Sequence, residues 1–370
     1  MVQRTMYHKH QQAKKAGSIQ DIGDTLLGSP NPGDRQRRDF FQLTGHKECF
    51  KIGSSPDTIL KKSTGNEERC LTELMNDPLS RFVPQVTGTV QIDGQCYLEM
   101  QDLLAKFDKA SVMDVKMGCR TYREEELDSA LREATLRHDM YDKMIEVDKS
   151  EPTDDENKVQ AITKPRYMIW RETVSSTASL SFRIEGMRLK DGSVDKNFKT
   201  VKDENQISKA LMRYATSHSI RLKYLDRLRD LRQALTQSEF FKTHELIGSS
   251  LLFVNDDSEA SIWLIDFAKT HLLPENTTIT HSNKWQLGNH EDGYLTGIDN
   301  LIRIFESITL RTSPLLISPS EGVTIQQRVS EDVNTTPCKQ HQKATISHVK
   351  LNGSKNHLQG ATRFLPELRT

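Results

Sequence analysis

The apolar run Leu264-Ile265-Asp266-Phe267, which ends in a carboxylate, is the first stretch of this sequence with a chemistry of its own. A carboxylate at the mouth of a strand hairpin can hold Mg2+ against nucleotide phosphates. Alone, such a triplet is more often a structural aspartate, so its weight depends on its company. Lys61, in the strand-like TILKK, lies far upstream, where a kinase carries a phosphate-contacting lysine. Gln101-Asp102-Leu103 leaves the same strand-rich region, where a hinge would meet adenine. The sequence has no Walker A loop and no HRD loop, so neither a P-loop enzyme nor an ordinary protein kinase fits.

A second group is cationic. Residues 164–190 hold Lys164, Arg166, Arg171, Arg183, Arg188 and Lys190, with Glu172, Glu185 and Asp191 as the nearby acids. A compact polyanion needs several fixed cations of forked or point geometry. A solvated basic face would have the same composition. Arg137 and Tyr141 stand at i and i+4 and are expected on one helix face, although a tyrosine there is otherwise a core residue.

These residues need elements to hold them. Segments 48–53, 57–62, 81–91 and 94–101 suit β-strands, with Thr87-Gly88 and Asp93-Gly94 as turn points. Glu67–Met75 suits a helix with Cys70, Leu71, Leu74 and Met75 on one side. Val112–Gly118 is strand-like, and Tyr122–Val147 reads as one long helical region. Thr153 and Glu156 form a capping box for a helix over 153–163, after which Thr163-Lys164-Pro165 interrupts the pattern. Helices are expected at 204–216, at 219–241 with Leu222, Leu225, Leu228, Leu231 and Leu235 inward, and at 294–309. The apolar runs 246–256 and 260–267 read as a β-hairpin. The fold class is α+β, with strands and one helix first and a helix-rich part after.

The 370 residues carry 51 Lys+Arg and 51 Asp+Glu. Residues 1–38 and 311–370 are each net +4, which leaves −8 for the middle. A body of that charge is a poor general nucleic-acid binder and must meet a polyanion through a local basic pocket. With a mean hydropathy of −0.62, no window approaches a membrane span, and the N-terminus has no apolar signal core. Cys49, Cys70, Cys96, Cys119 and Cys338 include no CxxC pair, which points to reduced thiols rather than disulfides or structural zinc. The expectation is a soluble intracellular monomer of the cytoplasm, with the nucleus as a second compartment. Both ends read as disordered tails, the C-terminal one rich in Ser and Thr.

At this point the motifs carry a resemblance. Met113-Asp114-Val115-Lys116-Met117-Gly118 resembles the DxKxG signature of the inositol polyphosphate kinases. CRTYREEEL, RHDMYDKM, TKPRYMIWRE, SFRIEGM, HELIGSSLLFV, WLIDFAKT and GNHEDGYLTGIDNLI follow in order and are similar to the inositol 1,4,5-trisphosphate 3-kinases among them. The match runs from about Phe41 to about Ser307. The resemblance implies a two-lobed, protein-kinase-related, ATP-grasp-like fold. Its catalytic domain would span 39–310, with an N-lobe over 39–110, a C-lobe over 111–310 and a helical substrate insert over about 122–181.

The resemblance also implies roles. Lys61 would contact ATP phosphates, Gln101, Asp102 and Leu103 the adenine, and Cys49 and Lys164 further parts of the nucleotide. Asp114 would orient or deprotonate the reacting hydroxyl, and Asp266, with Ser250 of the SSLL element, would hold Mg2+. Lys116, Arg171, Lys269 and the turn Arg137-His138-Asp139-Met140-Tyr141-Asp142-Lys143 would bind inositol phosphate. Two departures stand out: Ala110 where the family usually has Pro, and Ala268 where it usually has Gly after IDF. If the latter site needs a positive φ, Ala costs about 1 kcal/mol and disturbs Lys269.

The implied activity is ATP-dependent phosphorylation of the 3-hydroxyl of inositol 1,4,5-trisphosphate. The alternatives are a broader inositol polyphosphate multikinase and a weakened inositol phosphate sensor or scaffold. The 63 residues between Gly118 and Phe182 favour the trisphosphate-selective class, and retention of Lys61, Asp114, Lys116, Asp266 and Lys269 favours an enzyme. Calmodulin is a partner of the family, but GSPNPGD breaks any target helix before Phe40-Phe41. All matched motifs lie within 41–309, so a protein truncated to 39–310 is expected to keep most of its turnover number. A large drop at unchanged melting temperature would place part of the site in a tail.

Overall fold

The computed structural model describes residues 49–311. The expected tails, apart from Arg311, and the Phe40-Phe41 junction lie outside the described residues. The chain opens with β1 (Phe50–Ile52) and β2 (Thr58–Lys62), then α1 (Asn66–Leu74), a 3-10 turn at Pro78–Phe82, β3 (Val86–Ile92) and β4 (Gln95–Gln101). These four strands form one antiparallel sheet in the order β1-β2-β4-β3. Asp93 and Gly94 both have positive φ, 52° and 73°, the geometry of a two-residue hairpin turn whose twist matches the strands it joins. The third strand starts at Val86, not Arg81 as expected. Pro78 sets the 3-10 turn that buries Leu79 and Phe82, and Pro84 has no N–H to donate to a ladder.

α1 buries Glu67, Cys70, Leu71 and Leu74, a stripe at i, i+3, i+4 and i+7 with a carboxylate at its head. Cys70, Leu71 and Leu74 join a hydrophobic cluster that runs from this region to Met113, Val115 and Met117 of β5 (Ser111–Met117).

The insert follows: α2 (Glu124–Arg132), β6 (Leu136–Arg137), α3 (His138–Val147), α4 (Asp154–Val159), β7 (Ile162–Thr163), α5 (Lys164–Val174) and α6 (Thr177–Leu180). The long helix expected over Tyr122–Val147 is therefore two helices. Residues 136–137 pair instead with 162–163 as a two-stranded ribbon. Thr163-Lys164-Pro165 starts a helix rather than interrupting one. Pro165 sits in the first turn, where its missing N–H costs nothing, and Thr163 Oγ1 accepts from Arg166 N at 3.3 Å.

The remaining elements are β8 (Phe182–Arg188), β9 (Val194–Asp195), α7 (Glu204–Tyr214), α8 (His218–Gln237), α9 (Glu239–Thr243), β10 (His244–Leu246), β11 (Ser250–Asn255), β12 (Ala260–Ile265), β13 (Thr270–Leu272) and α10 (Tyr294–Arg311). A second antiparallel sheet has the order β12-β11-β5-β8-β9, with the expected hairpin as β11–β12. In α8 the inward residues include Ile220, Tyr224, Leu225, Leu228, Leu231 and Leu235, whereas Leu222, expected inward, is 41% exposed. Three residues before Leu225 but six before Leu228, it drifts off the stripe.

Strand alternation divides this sheet chemically. Met113, Val115, Met117, Leu251, Phe253, Ile262 and Leu264 enter the core with Tyr224, Leu228, Ile298 and Phe305. The other face carries Asp114 opposite Leu252, and Lys116 between Ser250 and Arg183, with Ile265 beyond Ser250. The register shifts between Asp114 and Val115, leaving Glu185 as the extra residue of β8. No helix among the described residues is long and apolar enough to cross a membrane. Cys49, Cys70, Cys96 and Cys119 are free thiols.

The segment from β13 to α10 has no regular elements and is held by buried charge. Asp292 accepts from Leu246 N at 2.8 Å and Tyr294 N at 2.9 Å. His281 directs Nδ1 to Asp292 Oδ2 at 2.9 Å and Nε2 to the Phe241 carbonyl at 2.6 Å. Both ring nitrogens face acceptors, so His281 is an imidazolium. Burial lowers its pKa, but Asp292 outweighs burial and holds it above the ordinary 6.5. The stability this adds is complete below pH 6.5 and is lost as pH rises through the higher folded value. Thermal melting of the wild type is therefore expected to fall more steeply above pH 6.5 than that of His281→Gln. Parallel profiles would contradict the imidazolium.

Candidate active site

Lys61 projects from β2 between two carboxylates, its Nζ 2.7 Å from Glu67 Oε1 and 2.7 Å from Asp266 Oδ1. Glu67 comes from α1 and Asp266 from the end of β12, so one ammonium joins three elements. Burial works against its charge, but Asp266 and then Glu67 hold its pKa above the ordinary lysine range. For Asp266, burial favours the neutral acid, yet Lys61 and Lys116 hold it below the usual range. The Asp266 side chain is 41% exposed while that of Glu67 is 4% exposed, so Glu67 orients Lys61 and Asp266 is the carboxylate a ligand can reach.

Local backbone fixes this arrangement. Asp266 has φ 67°, a left-handed conformation that Asp tolerates better than most residues. Ala268 is not among the residues with positive φ, so the expected penalty for Ala in place of Gly does not arise. Asn66 Nδ2 donates to the carbonyls of Phe267, Ala268 and Thr270 at 3.3, 3.1 and 2.8 Å, pinning the turn to α1. Ala110, the other departure, is buried, and its carbonyl accepts from Arg188 Nη2 at 2.9 Å.

Beside this group stands a cluster of lysines. Lys116 Nζ donates to the Gly248 carbonyl at 2.9 Å. Gly248 has φ 71°, and a Cβ there would lie 3.8 Å from Lys269 Cδ, so a glycine turn separates the two lysines. Lys269 Nζ lies 3.1 Å from Glu126 Oε2 and donates to the Thr121 carbonyl at 3.3 Å. Lys164 bonds the other oxygen of Glu126. Burial, then Lys164 and Lys116, lower the Lys269 pKa against the pull of Glu126. Thr121 is itself held from α5, where Glu172 accepts from its N at 2.6 Å and its Oγ1 at 2.9 Å. Burial pushes Glu172 up to about 7.

Asp114, 2% exposed, lies on the same sheet face as Lys116. Arg183 pairs with Glu185 at 2.6 Å, and Arg171 reaches the same carboxylate at 3.8 Å. Arg171 is 7% exposed and donates Nη1 to the Lys199 carbonyl at 2.8 Å, so it supports this cluster from below rather than presenting an open fork. Gly118, with φ 95°, turns the chain after Lys116, and a Cβ there would meet the Asp292 carbonyl at 2.9 Å.

Other expected residues lie apart. Arg137 caps α3 in extended conformation, so it does not share a helix face with Tyr141. It grips Asp139 through two bonds of 2.8 and 3.0 Å, and Lys143 holds the same carboxylate at 3.2 Å. Met140 and Tyr141 belong to a small core with Met144, Ile162 and Trp170, while His138 Nδ1 meets the Gln160 carbonyl and Asp142 is exposed. Lys164, expected at the nucleotide, is grouped with Lys269 across Glu126. The basic island disperses: Arg166 binds Glu151 and Glu156, and Lys190 binds Asp257. In the hinge, Gln101 N donates to Gln85 O and Asp102 N to Asp57 O, both at 2.8 Å, and Leu103 is buried. Cys49 precedes Phe50, whose ring centroid lies 5.7 Å from Lys61 Nζ.

The residues that sequence reasoning missed are Glu67, Glu126 and Glu172. A signal existed for the first: a glutamate at the head of an apolar helical stripe is either misplaced or paired. Removing Lys61 by Lys61→Met leaves Glu67 buried without its cation, which should cost about 3–5 kcal/mol. The double variant Lys61→Met/Glu67→Gln should recover much of that in thermal melting. Equal destabilisation of single and double variants would show the pair to be idle.

The profile of the family described as inositol polyphosphate kinase matches residues 97–306, more than half of the chain. Human inositol-trisphosphate 3-kinase B is 50% identical over 277 residues, 74% of this chain and 29% of that protein. Mouse inositol-trisphosphate 3-kinase A is 47% identical over 279 residues, 75% of this chain and 61% of that protein. The inositol-trisphosphate 3-kinase homolog of Caenorhabditis elegans is 39% identical over 275 residues, 72% and 55%. The chain thus spans between 29% and 61% of the length of these three relatives. The crystal structure of the S. cerevisiae inositol phosphate multikinase Ipk2 with ADP and Mn2+ aligns at a TM-score of 0.45 and 19% identity, covering 68% of this chain and 98% of that one. With its DVKMG strand, its IDFAKT turn and the helices between them all inside the matched span, the chain belongs to the inositol polyphosphate kinase family.

Proposed function

We propose that this protein transfers the γ-phosphoryl group of ATP to the 3-hydroxyl of inositol 1,4,5-trisphosphate. The observation that carries the reading is the position of Asp266. It is bonded to Lys61 on the side of the first sheet, and Lys116 of the second sheet depresses its pKa from the other. A nucleotide lysine and a polyanion-binding lysine thus converge on one reachable carboxylate, the arrangement phosphoryl transfer needs. The similarity to proteins named inositol-trisphosphate 3-kinase, at 39–50% identity, supports the choice of acceptor. So does an insert that folds as helices around the Lys164 and Arg171 helix.

The donor atoms fit a divalent cation. Asp266 offers a carboxylate, and the Ser250 hydroxyl, opposite Ile265 in the ladder, is buried with no hydrogen-bond partner. Among the described residues no three His, Cys, Asp or Glu cluster as a metal site. A cation with few protein ligands keeps water and substrate phosphates in its shell, as Mg2+ prefers. Asp266 and Ser250 would hold it, and when bound it neutralises charge on the transferring phosphates.

The chain's own residues do the rest. Lys61, oriented by Glu67, fixes the nucleotide phosphates. Lys116, Lys164 and Lys269 hold the acceptor's phosphates with point charges, and Arg183 and Arg171 add field through Glu185. Asp114, buried on the same face as Lys116, orients the 3-hydroxyl and receives its proton. Asp266→Asn keeps the shape of the side chain and the left-handed backbone but removes one of the two carboxylate charges on Lys61, so the protein should fold with a lowered melting temperature. Its turnover should fall about a hundredfold or more, as when one preorganised charge stabiliser is lost. The assay is chromatographic identification of the 1,3,4,5-tetrakisphosphate formed from ATP and the trisphosphate. Wild-type turnover by a folded Asp266→Asn protein would sink the assignment.

A further inference from the structure

Glu126 is the one carboxylate shared by two of the lysines assigned above to the acceptor's phosphates. Its Oε2 lies 3.1 Å from Lys269 Nζ, and its Oε1 bonds Lys164. The three side chains are 26%, 35% and 37% exposed for Glu126, Lys269 and Lys164, so an incoming anion can reach all of them. The carboxylate bridges the two ammonium groups as a phosphate would. It comes from the third position of α2, where Oε2 also accepts from Arg123 N at 2.9 Å to close the helix cap. Burial raises the Glu126 pKa, but Lys164, the Arg123 amide and Lys269 bring it down to about 2, so it is charged throughout the neutral range.

We infer that Glu126 is an internal anion that competes with substrate phosphate for Lys164 and Lys269 and so sets how tightly the acceptor is held. This rests on the acceptor site proposed above. Lys116 and Lys164 both depress the Lys269 pKa, the mark of like charges crowded together. Glu126 relieves that crowding while the site is empty. A phosphate group carries close to two charges near neutral pH and outcompetes a singly charged carboxylate. A ligand with hydroxyl in place of phosphate at that position leaves Glu126 on the two lysines and gains nothing from its removal.

The test compares full-length wild type, Glu126→Gln and Glu126→Asp. Glutamine keeps the acceptor for Arg123 N, so the helix cap survives while the charge goes. With ATP and Mg2+, Glu126→Gln should show a KM for inositol 1,4,5-trisphosphate at least threefold lower. Its kcat/KM preference for the trisphosphate over inositol 1,4-bisphosphate or 4,5-bisphosphate, whichever lacks the phosphate at that position, should grow about threefold or more, because only the trisphosphate has to displace the carboxylate. Glu126→Asp, which keeps the charge, should stay within about twofold of wild type in that preference, short of the threefold change that charge removal produces. Calorimetric binding of inorganic pyrophosphate in the absence of ATP should tighten in Glu126→Gln. A raised KM, an unchanged or smaller preference, or a gain of preference in Glu126→Asp equal to that in Glu126→Gln would overturn the inference. If the wild type transfers no phosphate to the trisphosphate, the proposed function fails, and the pyrophosphate comparison still decides whether Glu126 competes with an anion.

Discussion

The ammonium of Lys61 is held between Glu67 and Asp266 at 2.7 Å on either side, and much of the architecture serves that contact. Charges withdrawn from water are stable only with matched partners and good geometry, so each of the three elements must arrive in register. α1 arrives because Cys70, Leu71 and Leu74 bury the face that also carries Glu67. The turn after β12 arrives because Asp266 takes a left-handed conformation and Asn66 binds three carbonyls of the following residues. β2 arrives through its ladder with β4, which pairs Lys61 with Leu98.

The second sheet turns a periodicity of two into a division of labour. One set of residues on β5 and β11 fills the core, and the other places Asp114, Lys116 and Ser250 on the opposite face. Crowded lysines would repel, and their charge is balanced at close range by Glu126, Glu185 and Asp266. A body with an excess of acids can in this way keep a local field that suits a polyanion. Glu172 extends the same logic into the scaffold, tying α5 to Thr121, whose carbonyl meets Lys269.

The family resemblance singled out Lys61, Asp114, Lys116, Asp266 and Lys269 from short runs, and the fold brings Lys61 to Asp266 and Lys116 beside Lys269. Strand alternation could have placed Ser250 beside Lys116, but only once the pairing of β11 with β5 was known. Glu67 stayed hidden because its partners lie six and, through Lys61, about two hundred residues away in sequence. The insert was misread where local pattern is ambiguous. Alanine and leucine spacings run on through 133–137, yet Leu136 and Arg137 pair across a ribbon with 162–163, a non-local contact that spacing cannot show. Arg137 and Lys143, singled out by the resemblance, share the exposed carboxylate of Asp139 in the fold.

A crystal structure with a non-hydrolysable ATP analogue, Mg2+ and inositol 1,4,5-trisphosphate tests the central claim most directly. The account predicts that the γ-phosphate lies within reach of Lys61 and the Asp266-bound cation, with the 3-hydroxyl beside Asp114 and the acceptor's phosphates on Lys116, Lys164 and Lys269. Inositol phosphate seated instead on Arg137 and Lys143, with Lys164 and Lys269 still closed on Glu126, would contradict it.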